Sequence, residues 1–154
     1  MRSVIFVLGI VTAIACGGGR APAGPVDTSA SPAETVTLFM QAVADSNLAG
    51  MAELWGTSRG SAAETRQPRD YQRRVAVMWA YLRGARATLG NEIEVGPGRA
   101  VLAVDLERDG CRRRVPFEMV RTGRGQWVVQ AIELDLIGVP GRPCAADQRQ
   151  IPPG

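Results

Sequence analysis

The chain has 154 residues, of which 18 are basic and 15 acidic, giving a formal charge of +3 with 45% hydrophobic residues. All the cations are arginines, and there is neither a lysine nor a histidine. The missing histidine removes the commonest general base, metal ligand and triad member, and the missing lysine excludes Schiff-base and Ser-Lys mechanisms.

The chain opens on Met1-Arg2-Ser3, followed by an apolar run from Val4 to Ile14 and then Ala13-Ile14-Ala15-Cys16. That run falls short of the roughly 20 residues a spanning helix needs. A basic start, a short apolar stretch and small residues at the end describe a secretory signal peptide, residues 1–15. With a cysteine directly after Ala15, the stretch resembles a bacterial lipoprotein signal, although Ala13 replaces the usual leucine. The resemblance implies a diacylglyceryl group on Cys16, cleavage before it, and a partner in the lipid bilayer. It also implies an extracytoplasmic address, with Gly17 in place of Asp fitting the outer membrane, on its periplasmic side. The plainer alternative is a secreted protein cleaved near Ala15.

Removing residues 1–15 leaves 139, the size of one domain with a core. Residues 16–31 are rich in Gly, Pro, Ala and Ser and read as a flexible, lipid-bearing tether. Ser31-Pro32-Ala33-Glu34 then starts a helix: serine caps, proline takes the first turn, and Glu34 completes a capping box. Val36, Phe39, Met40 and Val43 make one apolar helical face. Asp45-Ser46-Asn47 interrupts it, and Leu48, Met51, Ala52 and Trp55 repeat the spacing until Gly56. Residues 56–68 read as a mobile loop. A third helix starts near Arg69-Asp70, with Tyr71, Val75, Met78 and Leu82 as its stripe, and stops at Gly84.

From Arg86 the period changes to two. Ile93 and Val95 lead to the turn Gly96-Pro97-Gly98, and strands follow over Val101 to Arg108, Cys111 to Arg121 and Gln126 to Ile137. Asp109-Gly110 is a two-residue hairpin turn. Taking Gly123-Arg124 as another fixes the whole register. One face then collects Leu102, Val104, Leu106, Val115, Phe117, Met119, Val128, Gln130, Ile132 and Leu134. The other carries two rows, Asp105–Arg114–Glu133 and Glu107–Arg112–Asp135, which explains the Arg112-Arg113-Arg114 cluster without nucleic acid as a partner. Pro116, in what should be an inner strand, calls for a bulge. The fold class is α+β: N-terminal helices packed on a curved four-stranded antiparallel sheet.

With Cys16 lipidated, Cys111 and Cys144 remain, an even pair in an oxidising compartment. The expected disulfide pins a tail, residues 139–154, to the hairpin tip and is worth roughly 3–4 kcal/mol in the chain-entropy model; two free thiols are the alternative. Two cysteines without histidine are too few for a metal site, so no metal or other cofactor is expected.

The segment from Ser31 to Trp55, through Phe39, Ala42, Ala44 and Asp45, resembles the opening of NTF2-like domains, which include SnoaL-like and ketosteroid-isomerase-like proteins. The resemblance spans residues 32–137 in element order, sets a domain over 32–138, and implies a cone, a curved sheet around the helices with a pocket at its open end. The candidate pocket residues are Gln130, Phe117, Tyr71, Met119 and Phe39. Active relatives place Asp, His or Tyr inside the cone, whereas the register turns Asp105, Glu107, Glu133 and Asp135 outward. Inward there remain Gln130, Tyr71, Tyr81 and Trp79, none a convincing base at neutral pH. Catalytic residues are therefore expected to be absent. The expectation is a non-catalytic envelope lipoprotein that binds a small apolar molecule or lipid. Alternatives are an assembly module, for instance a homodimer through the outer sheet face, and a SnoaL-like enzyme.

Overall fold

The computed structural model describes residues 31–140. Cys16 with the signal and tether, and Cys144 with most of the tail, lie outside the described residues. The Ser31 hydroxyl accepts from the Glu34 N–H at 3.1 Å and opens helix α1, Pro32–Ala44. Asn47 caps α2, Leu48–Leu54, its Oδ1 accepting from the Gly50 N–H at 2.9 Å. The expected face of α1, Val36, Phe39, Met40 and Val43, is buried. Of the face expected on α2, Met51 and Ala52 are buried, Trp55 is half-buried, and Leu48, in the first turn, is exposed. Helix α4, Tyr71–Leu82, buries Val75, Met78 and Leu82.

Four antiparallel strands follow in meander order: β3 Arg86–Gly96, β4 Arg99–Arg108, β5 Cys111–Arg121 and β6 Trp127–Ile132. Residues of α1, α2 and α4 share one apolar core with β4 and β5, so the molecule is a mixed α+β fold. At its centre the rings of Phe39 and Phe117 meet edge to face, 6.5 Å apart, both fully buried. Arg114 points the other way, its side chain 73% exposed.

The β4–β5 register is the expected one, with Leu102 opposite Phe117 and Asp105 opposite Arg114. It also places Arg113, half-buried, on the helix-facing side opposite Leu106, a charge that the apolar reading of that face omitted. No bulge occurs at Pro116, which pairs with Ala103 without a shift. Alternation from the hairpin-closing pair Arg108–Cys111 aims the backbone nitrogen of residue 116 away from β4. The β5–β6 ladder begins only at Phe117, so the missing N–H breaks no bond.

Three expectations need correction. First, residues 56–68 are not a plain loop. They form a small hairpin, β1 Gly56–Thr57 with β2 Gly60–Ser61, and a short helix, α3 Ala62–Thr65. The Gly123 N–H donates to the Ser58 carbonyl at 2.9 Å and Arg124 pairs with Glu64 at 2.6 Å, which ties the segment to the β5–β6 turn.

Second, β6 is offset. Arg121 pairs with Trp127, and the Thr122 N–H donates to the Gln126 carbonyl, which leaves Gly123, Arg124 and Gly125 as a three-residue loop. Gly125 takes the left-handed φ of 85° that such a loop requires. Val129, not Val128, therefore opposes Met119. A bulge then restores parity, and Ile132 opposes Phe117. Third, β6 stops at Ile132 and the chain enters a 3-10 turn, Leu134–Ile137, against β5. Glu133 and Asp135 thus never join the charge rows.

Candidate functional site

The β6 bulge positions a cleft. Its extra residue is Gln130, which lies between the paired positions Val129 and Ala131. A bulge removes backbone groups from the ladder, and here the Trp55 indole N–H donates to the Gln130 carbonyl at 3.2 Å. Trp55, extended after α2, also bridges to Val129 in parallel. These contacts hold the end of α2 beside β6. Because β6 ends two residues beyond Gln130, Leu134 turns back toward α4 and closes the far wall.

The resulting cavity measures about 310 Å³. Its apolar surface comes from Trp55, Val77, Met78, Ile132 and Leu134, and its ionic rim from Asp70, Arg73 and Arg74 on the first turns of α4. Asp70 does not cap its helix with its side chain; instead both its oxygens accept from Arg74 Nε, at 3.0 and 3.1 Å. This hydrogen bonding, aided by the charges of Arg74 and Arg73, holds the Asp70 carboxyl below its ordinary value against a weaker opposing effect of burial. Asp70 is therefore a carboxylate engaged by Arg74. Arg73 has no ion-pair partner among the described residues.

Of the five candidate pocket residues, Gln130 alone lines this cleft. Its Oε1 is buried and has no hydrogen-bond partner. Phe39, Phe117 and Met119 are packed in the core, and Tyr71 is half-buried against it. A second cleft of about 250 Å³ lies between α1 and the start of β3, lined by Val36, Met40, Ala85, Ala87 and Leu89 among others. It contains no charged group.

The sequence signals that lead to the main cleft are two. Asp70 and Arg74 stand at i and i+4 on a helix, the spacing of a side-chain pair. Gln130 is the lone amide in an apolar strand. Arg73, Met78 and Leu134 carry no such mark, because their shared location depends on where β6 bulges and stops. Among the described residues no group of three or more His, Cys, Asp or Glu comes together to hold a metal ion. No helix there is long and apolar enough to cross a membrane.

Comparison of the chain with protein-family models, with curated proteins and with solved structures returned no match in any of the three.

Proposed function

We propose that the chain is a lipid-anchored envelope protein whose domain binds a small, largely apolar molecule without transforming it. The observation that carries this reading is the cleft of about 310 Å³, apolar on its walls and polar only at Gln130 and the rim. Its size and lining are those of small-molecule sites. The non-catalytic part rests on where the carboxylates stand. Asp105 and Glu107 are engaged with Arg114 and Arg112 on the opposite sheet face, and Asp70 is engaged with Arg74. The NTF2-like cone belongs to this proposal, supported by the helices-then-meander order and by bulges in β3 and β6 that bend a sheet. Lipidation of Cys16, an outer-membrane address and a Cys111–Cys144 staple complete it, supported by the sequence pattern.

Bromodecanol tests the binding reading, because bromine quenches a tryptophan it touches and Trp55 lines the cleft. Saturable quenching is expected, and it should be lost in Val77→Glu, which puts a charge on the apolar wall without adding a tryptophan. Quenching that survives this substitution, or none in the parent chain, overturns the reading. For the anchor, labelled palmitate should be incorporated by the parent chain and not by Cys16→Ser. A second reading, assembly as a homodimer, is favoured by the exposed Ile93 and Val95 on the outer sheet face, at 62% and 55%. Its test is the oligomeric state.

A further inference from the structure

The rim of the main cleft is electrically unbalanced. It holds one carboxylate, Asp70, and two guanidinium groups, Arg73 and Arg74. Arg74 gives its Nε to both Asp70 oxygens, so those two groups satisfy each other. Arg73 is left as an exposed cation at the mouth, with no ion-pair partner among the described residues. Directly behind it the walls are apolar, with Met78 from α4, Ile132 from β6 and Leu134 beyond it.

Gln130 adds a neutral polar group on the β6 wall. Its Oε1 is buried and has no hydrogen-bond partner, and the same amide carries an NH₂ group, a donor. A cation from α4 and an amide donor from β6 thus flank the same cavity. Both favour an acceptor that carries negative charge. Neither favours a cationic head group, and the only carboxylate on the rim is already used.

From this geometry we infer that the cleft takes an anionic amphiphile, an acyl or similarly apolar body with a terminal carboxylate. The body lies against Trp55, Met78, Ile132 and Leu134, and the carboxylate meets Arg73 and the Gln130 amide. Arg73 is the group that distinguishes acid from alcohol. The inference rests on the cleft being the binding site, as proposed above.

The test uses the full-length chain with Cys16→Ser, so that no attached acyl group competes for the cleft. Bromodecanoate and bromodecanol are titrated at neutral pH, with Trp55 quenching as the readout. Decanoate is expected to bind about tenfold more tightly, a ratio equivalent to about 1.4 kcal/mol, and the preference should shrink with added salt. In Arg73→Gln the preference should fall to near unity while decanol binding is unchanged. The exposure of Arg73 makes this variant safe for folding. Equal affinity for the two probes in the parent chain overturns the inference and leaves the cleft reading intact. So does a preference that survives Arg73→Gln. Failure of both probes to bind removes the cleft reading itself.

Discussion

Asp105 and Arg114 face each other across β4 and β5 with two hydrogen bonds, Nε to Oδ1 at 2.9 Å and a terminal nitrogen to Oδ2 at 3.0 Å. The doubled contact matches the fork of a guanidinium to the two oxygens of a carboxylate. It lowers the Asp105 pKa from its ordinary 3.8: the hydrogen bonds from Arg114 act most strongly, burial opposes them, and the charges of Arg114 and Arg112 assist. Arg114 shifts the other way, upward, and stays protonated throughout. A depressed carboxylate contributes stability that is present above the unfolded-state value and lost as pH falls through the folded one. Asp105→Asn should therefore lower the urea midpoint at neutral pH, and the gap to the parent chain should close as the solution is acidified past 3.8. Midpoints measured across that range check the claim. A gap that stays constant under acidification would show that the ion pair contributes nothing. Arg113, the neighbouring arginine, shows how fully position decides the role of a residue type. One place along the strand, it points inward beside the core.

Among the elements, those with strong local signals were legible and those set by a single loop residue were not. The helices announced themselves through capping residues and apolar spacing, as at Ser31, Asn47 and the Val36–Val43 face. The β4–β5 hairpin was legible because Asp109-Gly110 admits one turn, with φ of 53° and 75°. Thr122-Gly123-Arg124-Gly125 admits two, and the loop takes three residues instead of two. That choice moves every β6 side chain to the other face until the Gln130 bulge moves them back. The segment from Gly56 was harder still, since two-residue strands leave no periodicity. What closes it is backbone proximity: a Cβ on Gly56 would collide with the carbonyl oxygen of Gly60 and lie 2.7 Å from the Ser61 Cα. Backbone atoms cannot swing aside as a side chain can. Gly56→Ala should therefore destabilise the fold by about 1–3 kcal/mol, read from urea unfolding, and should speed proteolysis between residues 56 and 68. A neutral substitution would mean that this hairpin is not held closed in solution.

At the scale of the whole molecule, the outer face of the sheet divides into two halves. Toward the hairpin tip, Arg86, Glu107 and Arg112 form one row, and Thr88, Asp105 and Arg114 the next. Toward the other end stand Ile93 opposite Val101, Ala103 opposite Pro116, and two charged residues, Glu118 opposite Val101 and Arg99 opposite Val120. The switch arises in β3, where the register shift between Leu89 and Glu92 turns Ile93 and Val95 outward and leaves both more than half exposed. Gly90 is suited to that shift, because a Cβ there would lie 2.9 Å from the Ala103 carbonyl oxygen. β3 is also an edge strand, yet Glu92, Glu94 and its two irregularities discourage pairing along the edge. The dimer proposed as the second reading would thus use the face and not the edge. A twofold axis through this end would bring Ile93, Val95 and Val101 of two copies together beside Glu118, while the paired charges at the tip stay in water. On that reasoning, light scattering should show the average mass rising with concentration toward twice that of one chain. Ile93→Glu should hold the protein at a single-chain mass without lowering its urea midpoint, because Ile93 gains little from the folded core of its own chain. A parent chain that stays monomeric at every concentration, or a substitution that leaves the dimer intact, would remove the face as an interface.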